Sequence, residues 1–348
     1  MNQKSRRIKV VCLTYGEPWG YGLWEQIKYS YSILRRLTLR VAPIPRPIPP
    51  YIALKRGWGR RKMFAAINYH SPLEKITARQ VELLQERLSA LHPDAQWECE
   101  LVREFRPPYL KQKLAEWARN PPDELLLLPM YMSDSDFTGG ISRTDLHEFH
   151  VSRNGAHPLP PPRYVLGFGY DEQLAELMAC YIEEHCERHG WDEARCRKSI
   201  LILGAHGTIV TLPDSIPNGA DELMTLAKGV RRRLMQRFAK VRIGWLNHQL
   251  GGKWTQPDVT ESARRAQRDG IRHVVYFPFG FMADNNETQN EGKAALSDFE
   301  WDDALYLPCL NADPRFIEIL ARKTIERLGQ PAEKWEAVDP SQGRPKPR

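Results

Sequence analysis

Six short runs, mostly apolar without alternation, restrict the fold of this chain more than any other feature: "IKVVCLTYG", "ELLLLPMY", "SILILGAHG", "KVRIGWLN", "HVVYFPFGF" and "ALYLPCLN". A strand with one wet face repeats every two residues, so apolar neighbours in succession mark strands covered on both faces, as in parallel sheets. Between the runs lie segments with helical spacing of apolar residues, among them "TARQVELLQERLSAL", "YLKQKLAEWARN", "DEQLAELMACYIEEHCERHG", "ADELMTLAKGVRRRLMQRFAK" and "PRFIEILARKTIERLG". Strand and helix in alternation predict an α/β protein of parallel sheets flanked by helices.

A chain of 348 residues exceeds one ordinary core and suits two domains of about 150–170 residues each. The best boundary is "HPLPPPR", His157 to Arg163, because consecutive prolines disfavour helix and cannot donate to a sheet ladder. The expected division is a first domain over 1–158, a second over 159–330 and a flexible basic tail over 331–348. The two domains are expected to be similar and doubly wound, although no repeat is evident in the sequence. Within the first, "RVAPIPRPIPPYIALKRGWGRRK" reads as a basic, proline-rich surface loop or lip over about 35–62.

No apolar run approaches the eighteen or more residues of a membrane span. The apolar stretch after the basic start "MNQKSRR" is too short for a leader and lacks a cleavage site, so a cytoplasmic protein is expected. Lys plus Arg number 50 against 43 Asp plus Glu, a net +7, which favours an anionic partner and is compatible with peripheral contact to an anionic membrane. Nucleic acid is not expected, since the basic stretch lacks interleaved stacking aromatics and any reader motif. There is no P-loop, and "GFGYDE" has Glu172 where the dinucleotide fingerprint needs its third glycine. The cysteines at 12, 99, 180, 186, 196 and 309 form no C-x-x-C pair, so reduced thiols and no iron–sulfur cluster are expected. No cofactor is anticipated, and the expected state is a monomer.

In open parallel sheets ligands bind beyond the carboxyl ends of the strands. That rule selects Tyr15-Gly16, His206-Gly207, Asn247-His248, and the carboxylates Asp284, Glu287 and Glu291 that follow "HVVYFPF". The carboxylates have two readings. In one, Asp284 is a helix N-cap with Glu287 at N3, a variant of the capping box. In the other, the three share a helix face and form a ladder of oxygens that holds a divalent cation or carries protons. The first leaves Glu291 unexplained, because like charges at i,i+4 repel by about 0.2–0.5 kcal/mol. His206, in "LILGAHGT", is either a hydrogen-bonded structural residue or a base and metal ligand whose small neighbours leave room for a flat partner. His185 and His189, one helical turn apart, have metal-compatible spacing but read as a solvated helix face, as do His147 and His150.

Taken in order along the chain, these segments resemble the ferrochelatase family. "GAHG" is similar to its Ser-Ala-His-Gly signature and "FPFGFMADNNETQNE" to its Phe-x-Ser-Asp-His-x-Glu-Thr-Leu-x-Glu run. "GWLNHQLGGKWTQPDVTES" resembles the Trp-Gln-Ser…Gly…Trp-Leu-x-Pro stretch, and "LPCLNADPRFIEIL" the final strand and helix. Earlier, "LTYGEP", "NYHSPLEKITARQ", "EFRPPY" and "LPMYMSDSDFTGG" resemble the opening turn, the Gly-x-Ser-Pro-Leu motif, a Phe-Arg-Tyr element and the Pro-x-Tyr-Ser…Thr-Gly loop.

The resemblance implies two Rossmann-like, chelatase-type domains with the active-site cleft between them. It also implies insertion of Fe²⁺ into a porphyrin, protoporphyrin IX or coproporphyrin III, with loss of two pyrrole protons in haem synthesis. It gives His206 and Glu287 the catalytic and metal-holding roles, adds Asp284 and Glu291 as an acidic metal path, and places Tyr15, Ser71, Arg106, Tyr131 and Trp254 against the porphyrin. Basic residues of the lip would meet propionates. Departures from the pattern are Asn285 for a second histidine, Ala295 for a further Glu, Gly204 for Ser, and the absence of Gly-Asp-Pro-Tyr after the histidine. They leave open a chelatase for Co²⁺ or Ni²⁺, or a non-catalytic tetrapyrrole-binding homologue.

Overall fold

The computed structural model describes residues 5–38, 48–211, 216–248 and 252–335. Its chain divides into two compact units, one of residues 1–130, 136–165 and 320–348, the other of 131–135 and 166–319. The passage at 165/166 lies beyond the proline-rich boundary read from the sequence, because Pro162–Tyr164 pairs in parallel with Leu125–Leu127 and belongs to the first sheet. Proline is tolerated there at the first position of an edge strand.

The first unit holds β1 (Arg6–Thr14), β2 (Ala95–Arg103), β3 (Glu124–Pro129) and β4 (Pro162–Tyr164), in the order β2-β1-β3-β4. The second holds β5 (Ser199–His206), β6 (Lys240–Leu246), β7 (His273–Phe277) and β8 (Asp303–Tyr306), in the order β6-β5-β7-β8. Pairing is parallel throughout. The two orders are the same, so a repeat invisible in the residues exists in the topology.

Every apolar run became a strand, and the central ones are the most deeply covered: Val10, Val11, Leu125 to Leu128, and Ile200 to Ile202 have no solvent exposure. β2 escaped the pattern because it is an edge strand with half-wet positions. Its Glu98 and Glu100 meet Lys9 of β1 at 2.8 and 3.3 Å. The helical segments fold as Leu73–Leu91, Leu110–Trp117, Glu172–Arg188, Ala220–Leu234 and Pro314–Leu328. No helix among the described residues is long and apolar enough to cross a membrane.

The lip needs correction. From Ile48 to Ala66 it is a helix, not a loop. Pro49 and Pro50 sit in its first turn, where amide hydrogens have no intrahelical acceptor and a missing one costs nothing. Gly57 lets it lie against the helix Leu23–Ile33, since a Cβ there would stand 2.7 Å from the Ile27 backbone. Its other side exposes Tyr51, Leu54, Trp58 and Met63. Arg40 and Arg46 fall outside the described residues.

The Tyr276 side chain of β7 is buried with its hydroxyl wedged between Gly204 and Gly292, where added Cβ atoms would lie 2.1 and 2.6 Å from that oxygen. A side chain at 204 would meet the Tyr276 hydroxyl, so this position takes glycine.

Candidate functional site

β5 and β7 are neighbours in the second sheet, and the chain leaves β5 on one side and β7 on the other, which makes their carboxyl ends the switch point of the strand order. His206 is the last residue of β5. After β7 the chain turns through Pro278–Asp284 into a helix, and that turn is held by the Gly280 N–H on the Gly204 carbonyl at 3.1 Å and, further on, by side chains. Asp284, 6% exposed, accepts the backbone N–H of Cys309 at 2.9 Å and the side-chain amide of Asn311 at 2.8 Å. Its own N–H donates to Asn311 Oδ1. Its carboxylate is committed to joining this turn to the segment after β8.

The helix that follows is capped by Asn285, not by Asp284. Asn285 Oδ1 accepts the N–H groups of Glu287 at 2.8 Å and Thr288 at 3.2 Å, while Thr288 Oγ1 accepts the Asn285 N–H at 3.0 Å. This is a reciprocal cap displaced by one residue from the one the sequence suggested. It satisfies the helix start without Glu287 and leaves that carboxylate for other work. Residues Glu287–Glu291 form a π turn, closed by the Gly292 N–H to the Glu287 carbonyl, a widening common at functional sites.

Glu287 Oε2 lies 2.7 Å from His206 Nδ1. Burial works against a charged imidazole, but the Glu287 carboxylate, through charge and hydrogen bond, and the charge of Glu291 outweigh it, so the His206 pKa is raised above its ordinary value. The ring is packed round by protein yet keeps 41% of its side-chain surface open to solvent, against 24% for Glu287, so a substrate atom can reach it. His248, two residues past β6, completes a group: His206, His248 and Glu287 each offer a ligand atom, all within 4.8 Å of one another.

Among the expected site residues, then, His206 and Glu287 are in direct contact. Glu291 acts on the pair through its charge, accepts the Asn286 amide at 2.8 Å, and lines a cavity of about 160 Å³ with Asn247, Asp258 and Ala295. Trp254 pairs with Ile209, and its indole stands perpendicular to the His248 ring with centroids 5.9 Å apart. Tyr131 opens the short segment 131–135 that belongs to this unit, held where the Asp134 N–H meets Glu222 at 2.8 Å. Tyr15, Ser71 and Arg106 lie in the first unit. There Tyr15 stacks on Phe105 at 5.3 Å, buried Ser71 donates to Glu17 at 2.6 Å, and Arg106 pairs with Glu25 at 3.1 Å and donates to the Glu17 carbonyl at 3.3 Å. Of the lip cations, Arg36 and Arg60 pair with Asp145 and Glu17, both at 2.7 Å.

His248 was the omission. The strand-end rule reached Asn247-His248, but nothing in the spacing tied that histidine to His206. The solvated-face reading fails for His185, which is buried and donates to the Tyr181 carbonyl at 2.9 Å, whereas His189 is exposed and donates to the His185 carbonyl at 2.8 Å.

A family model described as Ferrochelatase matches residues 7–328. A ferrochelatase of Nostoc punctiforme is 24% identical over 83% of this chain and 74% of its own length. One of Helicobacter pylori is 23% identical over 91% and 92%. Among solved structures, the sirohydrochlorin chelatase SirB from Bacillus subtilis in complex with cobalt aligns over 93% of this chain and 98% of its own at 9% identity, with a TM-score of 0.43.

Proposed function

The chain belongs to the ferrochelatase family, metal-inserting chelatases of porphyrin metabolism, and from that premise we propose that it inserts Fe²⁺ into a free-base porphyrin with release of two pyrrole protons. The observation that carries the proposal is the 2.7 Å contact of His206 with Glu287 at the switch point of the second sheet.

The chemistry follows from the two groups. A carboxylate on Nδ1 fixes the imidazole's orientation and raises its basicity, so the neutral ring is prepared to take a proton at its other nitrogen. Glu287 then stabilises the imidazolium, and its own charge, with that of Glu291 behind it, favours a divalent cation arriving as protons leave. Metallation also needs the macrocycle bent so that nitrogen lone pairs leave its plane, strain that binding must supply. Trp254 is suited to an apolar contact with the macrocycle, with Tyr131 in the same unit. Tyr15, Ser71 and Arg106 are our candidates for porphyrin contact in the first unit. The reading requires only porphyrin and Fe²⁺ as partners, in a cytoplasmic protein that works as a monomer without a bound cofactor.

The test is anaerobic incubation of the protein with Fe²⁺ and, side by side, protoporphyrin IX and coproporphyrin III, following the visible bands that change on metallation. Turnover of either porphyrin supports the proposal and identifies the substrate. Tight binding of both without metallation overturns it.

A further inference from the structure

We infer that His248 is a third protein ligand, so that the divalent ion handled by this site is held by two imidazoles and one carboxylate before it meets the porphyrin. The inference deepens the chelatase reading and rests on it. The donor atoms of His206, His248 and Glu287 lie within 4.8 Å of one another. Ligands about 2.1 Å from a tetrahedral metal stand roughly 3.4 Å apart, so no pair of donors needs to close by more than about 1.4 Å, within reach of side-chain rotation.

His248 is held for this role from both sides. Its ring packs on His206 at 4.9 Å and meets the Trp254 indole at right angles at 5.9 Å. Two imidazoles and a carboxylate on one face suit borderline divalent ions such as Fe²⁺, Co²⁺ or Zn²⁺ over Mg²⁺ or Ca²⁺, which prefer all-oxygen sets. Three protein donors leave positions open for water and then for pyrrole nitrogen. They also retain the ion more strongly than His206 and Glu287 do alone. His248 therefore sets how well the metal is captured, and its loss raises KM for metal more than it lowers kcat.

Co²⁺ added to the porphyrin-free protein tests this, because its absorption bands report coordination and its X-ray absorption counts imidazoles. Two imidazoles per ion are expected in the unaltered protein. In His248→Ala one should remain, with Co²⁺ affinity lower by at least about tenfold, the smaller end of what even an outer partner of a metal ligand contributes. One imidazole in the unaltered protein overturns the inference whether or not the variant folds, as does unchanged Co²⁺ affinity in a folded variant. Two imidazoles in a protein that metallates no porphyrin would uphold His248 as a ligand and overturn the chelatase reading instead.

Discussion

His206 differs from the other histidines of the second unit in what its ring meets. Those of the helix Glu172–Arg188 and its end give their Nδ1 atoms to backbone carbonyls one turn back, whereas His206 gives its own to a carboxylate. Two predictions follow at this scale. Metal insertion needs the neutral His206 ring, so activity falls as pH drops through its raised pKa. Glu291→Gln removes one of the charges that raises it and shifts that acid limb to lower pH, read from the pH profile and from the imidazole titration by NMR. The second concerns His185, whose pKa is lowered by burial, with the charges of Arg188 and His189 also acting against protonation. The unfolded chain takes up that proton near the ordinary value of about 6.5 while the folded one resists until lower pH. Stability is therefore complete above the ordinary value and declines as pH falls toward the lowered one. Denaturant midpoints measured against pH should show that slope flattened in His185→Gln. Reading residues from sequence singled out His206 and Glu287 separately, and the fold brings their side chains into contact. It reached His248 only as a strand end without tying it to His206, and it could not know that Asp284 is spent on the Cys309 amide and the Asn311 side chain, because partners 25 and 27 positions away along the chain leave no local trace.

Elements decide how stiffly the pair is held. The cap of Asn285 and Thr288 starts the π turn that carries Glu287. Asn285→Ala should cost about 0.5–2 kcal/mol of stability, the usual worth of an N-cap, and reduce activity by loosening Glu287, measured by denaturant titration and insertion rate. Between the strands, the Tyr276 hydroxyl is buried without a hydrogen-bond partner among the described residues. Gly204→Ser would drive a side chain into that oxygen and should destabilise by about 1–3 kcal/mol, as overpacking does. Tyr276→Phe removes a buried hydroxyl that gains nothing and should leave stability equal or higher. The lip shows why elements are harder to read than strands. Prolines and basic residues mimic a loop in sequence, yet Ile48–Ala66 is a helix whose inward face is only Pro49, Ala53, Gly57 and Phe64, too small and mixed to produce an apolar stripe.

For the whole molecule, the parallel α/β class was legible because central strands buried on both faces cannot hide their composition, and the matched strand orders of the two units extend it. The edges were not legible. β2 alternates and carries charge, and β4 is three residues beginning with proline, so the proline-rich segment read as the domain boundary is partly sheet. The account stands on His206 and Glu287 acting as one proton-accepting, metal-guiding pair. Anaerobic Fe²⁺ insertion rates of the unaltered protein, His206→Ala and Glu287→Gln, at porphyrin concentrations that saturate each, test it most directly. Each substitution should slow insertion by about a hundredfold or more, the lower end of general acid–base effects, with porphyrin affinity retained. Rates close to that of the unaltered protein in both variants would contradict it.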